Sequence, residues 1–121
     1  MFAGGASSAA RDLLERALRL NRGFRPAMLS LAFIYERNAD YLEAATAYQD
    51  LVDTHPDFAE GRLRLGINLI RTGRDAAGEE LLRDLVGTGA TPWIEAVAAQ
   101  ELVRQRAKKR KELPEAERDA R

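Results

Sequence analysis

The chain has 121 residues, which favours a single domain, and its 45% hydrophobic and 31% charged residues are typical of folded proteins. Nineteen basic residues balance nineteen acidic ones, which argues against a general binder of nucleic acid or membrane surfaces, because both need a basic excess. The chain has no cysteine and a single histidine, which excludes disulfides, thiolate zinc sites, cysteine nucleophiles and histidine-rich metal sites.

The first ten residues lack the basic region and the long apolar run of a secretory signal. No uncharged apolar run approaches the roughly 20 residues that a membrane-spanning helix needs. A cytoplasmic location is therefore expected.

Apolar residues recur at helical spacing along the chain, as at Met28, Leu31, Ala32 and Tyr35, and no segment alternates like a strand. Short polar or glycine-containing breaks separate these segments. The last segment begins with Thr91 as N-cap and Pro92 in the first helical position. The pattern predicts six helices, at about 8–21, 25–38, 41–53, 58–72, 75–87 and 91–109.

The sequence also repeats itself when it is shifted by 34 residues. The frame 25–58 then matches 59–92 at seven positions, and residues 10–24 match part of 44–58. Small residues fall at equivalent places, with Ala32 aligned to Gly66 and Ala44 to Gly78. Small side chains let helices cross closely, so the pattern predicts stacked helix pairs.

A helical-pair repeat of this length resembles the tetratricopeptide repeat family. The first helix of that repeat carries a bulky residue, Leu, a small residue and Tyr, and the second carries Ala, an aromatic, an apolar pair and Pro. Frame 25–58 has all of these, whereas 59–92 lacks the first bulky residue, the Tyr and the Pro. The matching residues in 25–58 are Met28, Leu31, Ala32, Tyr35, Ala44, Tyr48, Leu51, Val52 and Pro56.

The resemblance implies an all-α fold, a short right-handed solenoid of antiparallel helix pairs. The domain would span 1–109, with a half repeat at 8–24, full repeats at 25–58 and 59–92, and a capping helix at 92–109. Residues 110–121 are expected to be a charged, disordered tail that folding does not need, because Pro114 breaks any helix there.

The resemblance further implies a peptide-binding groove, because the first helices of successive repeats line the concave face in this family. The matching positions are Leu29, Phe33, Glu36, Arg37, Glu60, Leu63, Arg64, Ile67, Ile70, Arg71, Val97 and Glu101. Leu29, Phe33 and Ile67 stand where the family's carboxylate clamp needs polar groups, which argues against that clamp. An apolar stripe flanked by arginines suits an amphipathic helix or an apolar peptide. Alternatively, the stripe is internal core in an array too short to curve around a guest.

No set of residues suggests catalysis, a metal site or a cofactor. His55 precedes Pro56 and has no convergent partner, so it is interpreted as an exposed turn residue. Asp50, Asp53 and Asp57 lack the glycine-centred spacing of a calcium loop and are interpreted as solvated surface. The chain is therefore expected not to be an enzyme.

Two features have alternative interpretations. Trp93 is either packed as a cap on the array or exposed as an anchor for a partner. Six of residues 104–111 are basic, and residues 104–121 carry a net charge of +4 against −4 for residues 1–103. A solvated helix end is favoured over a nucleic-acid site, because no aromatic residues are interleaved and acidic residues follow.

The expected function is non-catalytic protein–protein binding by an adaptor or scaffold that docks a peptide or helix in the apolar groove. The alternative is a structural subunit, or the terminal piece of a larger repeat protein, held permanently in an assembly. The first helix resembles a second repeat helix without a first one, so Leu13, Leu14 or Leu18 is expected to be uncovered. A second chain, a larger complex or missing upstream sequence would cover them.

Overall fold

A computed structural model describes residues 2–89 and 91–116, with side chains described from residue 8 onward. This part of the chain contains six helices and no strand, as predicted. Consecutive helices pack in antiparallel pairs, and the fourth also touches the sixth, so the fold is an all-α solenoid. The helices are α1 (Phe2–Leu20), α2 (Arg25–Arg37), α3 (Tyr41–Thr54), α4 (Ala59–Arg71), α5 (Asp75–Leu85) and α6 (Pro92–Glu112).

Helix boundaries differ from the prediction mainly at the two ends. Helix α1 begins at Phe2 instead of residue 8. No proline interrupts residues 2–7, and Ala3 and Ala6 favour the helix whereas Gly4 and Gly5 oppose it. Helix α6 runs through the whole basic segment to Glu112, three residues beyond the predicted end of the domain. Residues 117–121 of the predicted tail lie outside the described residues.

The 34-residue period reappears in the backbone geometry. Helices α2 and α4 have 13 residues each and begin 34 positions apart, after the N-caps Phe24 and Phe58. Each ends in the same turn: the amides of Asp40 and Arg74 donate to the carbonyls of Tyr35 and Leu69, at 2.9 and 2.8 Å. The turn places Ala39 at φ +62° and Gly73 at φ +88°, a conformation that glycine adopts without strain.

The core consists of two clusters of buried side chains that share α4. The first lies between α2, α3 and α4 and includes Met28, Tyr48 and Leu51. The second lies between α4, α5 and α6 and includes Leu82 and Ile94. Helix α4 therefore packs on both sides, as a helix inside a stacked array must.

Small residues mark the closest helix crossings, as predicted. Ala32 and Ala44 are completely buried in the first cluster. Between α4 and α5, a Cβ placed on Gly78 would lie 2.5 Å from the carbonyl oxygen of Gly66 and 2.7 Å from Cγ1 of Ile70. A Cβ on Gly66 would lie 2.9 Å from Cδ2 of Leu82. The two glycines thus let the backbones of α4 and α5 approach more closely than any side chain permits.

Candidate protein-binding face

Ten of the twelve residues predicted to line the groove lie on α2 and α4, and on this α2–α4 face Glu36 contacts both α3 and α4. Its Oε1 accepts a hydrogen bond of 2.7 Å from the buried Tyr48 hydroxyl on α3. Its Oε2 lies 2.9 Å from Nη1 of Arg71, and Oε1 lies 3.6 Å from Nη1 of Arg64, both on α4. Because its side chain is only 12% exposed, this carboxylate ties three helices together instead of projecting towards a partner.

Phe33 is the apolar side chain that this face presents to solvent, with 39% of its surface exposed. The guanidinium carbons of Arg64 and Arg37 lie 5.3 and 5.8 Å from its ring centroid. Both distances are within the range of a cation–π interaction. An aromatic ring held between two arginines is pre-organised for a ligand, because less side-chain freedom remains to be lost on binding.

Two residues predicted to line the groove are instead part of the core. Leu63 and Ile70 are 2% and 7% exposed and belong to the second core cluster. The first turns of α6 explain this result, because Ile94 and Ala98 pack in the same cluster. For these two side chains the interpretation as internal core is the correct one.

The remaining apolar positions of the predicted groove are partly buried. Leu29 packs against the first cluster, and Ile67 and Val97 pack against the second. The exposed apolar surface is therefore centred on Phe33 and is narrower than the sequence suggested.

The charged positions of the predicted groove form ion pairs with one another. Arg64 Nε lies 3.1 Å from Glu60 Oε2, one helical turn away. Arg71 also stacks on the ring of Tyr41, with its guanidinium carbon 5.2 Å from the ring centroid. On α6, Glu101 pairs with Arg104 at 3.4 Å. The surface around Phe33 is thus lined by arginines whose charges are partly compensated.

A comparison with known families identifies part of this architecture. The family profile described as tetratricopeptide repeat matches residues 26–57, which comprise α2, α3 and the turn after α3. Residues 26–57 are a tetratricopeptide repeat. A search of curated proteins gave no significant match. The predicted resemblance of 25–58 is confirmed, whereas the assignment of a second repeat to 59–92 stays a prediction.

The environment of Tyr48 makes the stability of this tetratricopeptide repeat sensitive to alkali. Burial, the hydrogen bond to Glu36 and the charge of that carboxylate raise the pKa of Tyr48 well above 10.0. For Arg64, burial alone would lower the pKa, but the hydrogen bond to Glu60 and the charges of Glu36 and Glu60 produce a net rise. Arg64 therefore stays a cation beside Phe33.

We expect the free energy of unfolding to fall as the pH rises above about 10, by up to about 1.4 kcal/mol per pH unit. The unfolded state loses the Tyr48 proton near its ordinary pKa, while the folded state retains it, so alkali favours unfolding. Urea titrations at several alkaline pH values would measure this slope. The Tyr48→Phe variant should show a shallower slope, and equal slopes for both proteins would contradict the assignment.

His55, which the sequence suggested to be an exposed turn residue, makes a structural hydrogen bond. Its Nε2 lies 2.7 Å from the carbonyl oxygen of Gly23 and donates to it, since a carbonyl can only accept. The bond joins the turn before α2 to the turn after α3, and the side chain is partly buried. A turn histidine carries no sequence signal for such a link, because its partner is a backbone atom 32 residues away.

The other residues that the sequence analysis discussed lie on α3, in the turn after it and on α6. Trp93 is 47% exposed and lies in the first turn of α6, which favours the exposed-anchor alternative over the packed cap. Asp50, Asp53 and Asp57 are exposed, as expected.

In the described part of the chain, no group of three or more acidic residues or histidines is arranged to hold a metal ion. None of the described helices is long and apolar enough to cross a membrane.

Proposed function

We propose that this chain is a non-catalytic protein–protein interaction module that binds an amphipathic helix or apolar peptide of a partner on the α2–α4 face. The tetratricopeptide repeat is a protein–protein interaction motif, and it supplies α2, which carries Phe33. The observation that carries the proposal is the exposed Phe33 ring between Arg37 and Arg64. Aromatic and arginine side chains are the residue types that dominate binding energy at protein interfaces.

The surroundings of Phe33 support this choice of surface. Glu36 and its partners fix α2 against α4, so the face keeps its shape when no ligand is bound. An apolar residue of the partner would cover the Phe33 ring, and acidic residues beside that apolar residue would form ion pairs with Arg37 and Arg64. The partly buried Leu29 and Ile67 would extend the contact on either side.

We expect Phe33→Ala to weaken partner binding by more than about 2 kcal/mol if Phe33 is a hot spot. Partners captured from a lysate with the wild-type chain would be identified, and the affinity of a purified partner would then be measured for each variant. Leu13→Ala is the matched control, because Leu13 is also an exposed apolar residue but lies on α1. Unchanged affinity of the Phe33→Ala variant would overturn the proposed binding face.

A second candidate function is a structural subunit, or the terminal piece of a larger repeat protein, held permanently in an assembly through α1. It is favoured by the exposure of Leu13 and Leu20, at 63% and 91%. Leu14 and Leu18 are partly buried and offer less to such a contact. A stable monomer in a solution mass measurement would favour the adaptor. A dimer that Leu13→Ala dissociates would favour the structural subunit or a homo-oligomer.

A further inference from the structure

Outside the α2–α4 face, α5 and the second half of α6 enclose an open cleft of about 810 Å³. Four of its lining residues lie on α6, and a fifth is the C-cap of that helix. Three of them belong to the basic segment 104–111, for which the sequence favoured a solvated helix end. The lining residues are Glu79 and Arg83 of α5 together with Leu102, Arg106, Lys109, Arg110 and Leu113.

The cleft presents positive charge because its single carboxylate is covered. Glu79 is 6% exposed, and its two oxygens lie 3.0 Å from Nη2 of Arg83 and 2.7 Å from Nζ of Lys109. The two cations remain 64% and 54% exposed. Arg83, Arg106 and Lys109 against this one carboxylate leave a net charge of +2, although the whole chain is neutral.

The cleft also has two apolar ends. Leu102 packs against the second core cluster, and Leu113, the C-cap of α6, is partly buried. They are 11 residues apart, so three helical turns place them on the same side of the helix axis, about 16 Å from each other. The basic residues of α6 that line the cleft lie between them.

We propose that the α5–α6 cleft binds an acidic amphipathic helix of a protein partner. Two apolar side chains about three turns apart on that helix would cover Leu102 and Leu113. Aspartates or glutamates between these two side chains of the partner helix would form ion pairs with Arg83, Arg106 and Lys109. The chemistry favours a protein over a nucleic acid, because leucines give a phosphate backbone nothing to bind and the lining has no aromatic ring for base stacking. The cleft does not include Phe33, so the proposal for the cleft can be confirmed or overturned independently of the proposal for the α2–α4 face.

The probe is a synthetic, fluorescein-labelled helical peptide of glutamate, alanine and leucine, with two leucines three turns apart. Fluorescence anisotropy with the full chain would measure its affinity at low and at moderate salt. We expect Arg106→Glu to weaken binding about ten-fold, because reversing the charge replaces an attraction by a repulsion. Lys108→Glu is the matched control, since Lys108 is exposed on the same helix, does not line the cleft and undergoes the same charge change. Circular dichroism would verify that both variants keep the helical content of the wild type.

Two further variants and two further ligands make the test decisive. Leu113→Ser should weaken the peptide several-fold, whereas Val103→Ser, at an exposed apolar residue of α6 that does not line the cleft, should leave its affinity unchanged. The same peptide with lysine in place of glutamate should not bind. Equal losses from Arg106→Glu and Lys108→Glu would overturn the proposal, since they would indicate diffuse attraction to the basic helix. Failure of the acidic peptide to bind, or equally tight binding of a single-stranded oligonucleotide, would overturn it too.

Discussion

Replacing Gly78 by alanine is expected to lower the free energy of unfolding by about 1–3 kcal/mol or more. Helix propensity alone predicts the opposite sign, because alanine in a helix is about 1 kcal/mol more favourable than glycine. The added Cβ would lie 2.5 Å from the carbonyl oxygen of Gly66 and 2.7 Å from Cγ1 of Ile70. One of these neighbours belongs to the α4 backbone and cannot rotate away, so α4 and α5 must separate.

Urea unfolding followed by circular dichroism would measure the change. The adjacent Ala77→Gly variant is the control. Because Ala77 is exposed on the same helix, this variant measures the effect of helix propensity on stability without any change at the helix crossing. Gly66→Trp should be more severe and is expected to unfold the stack. A Gly78→Ala protein more stable than the wild type would show that α4 and α5 do not cross as closely as described.

The repeat architecture was predictable because stacking imposes the same demands on each unit. A helix crossing needs a small residue in every repeat, and the turn between paired helices needs a left-handed residue. The sequence meets these demands with Ala32 and Gly66, with Ala44 and Gly78, and with Ala39 and Gly73, and the members of each pair lie 34 residues apart. The length of α1 was not predictable from the same argument, because its first residues lie outside the repeat.

The binding face was less predictable, because family position alone does not show whether a side chain is covered. Leu63 and Ile67 lie one helical turn apart, yet Leu63 is buried and Ile67 is only partly so. The difference depends on where α6 lies against α4, which the sequence of α4 does not specify. The Glu36 network depends likewise on how three helices come together, and pattern analysis gives no access to such contacts.

The comparison of Leu63 with Phe33 tests this division between core and surface directly. Leu63→Ala is expected to cost about 2–5 kcal/mol of stability, as for other buried leucines in well-packed cores. Phe33→Ala should cost only about 1 kcal/mol, because the ring is partly exposed and its two arginine contacts are individually weak. Leu63 thus serves as the core reference, because its side chain is only 2% exposed.

Urea titrations of the two single variants would measure both costs under identical conditions. At a temperature where both variants stay folded, the loss of affinity for the partner should be larger for Phe33→Ala than for Leu63→Ala. Phe33→Ala should lose affinity at nearly full stability, whereas Leu63→Ala should keep its affinity at reduced stability. Equal destabilisation by the two substitutions would mean that Phe33 is internal packing. The search for the partner surface would then move to the exposed leucines of α1 and to Trp93.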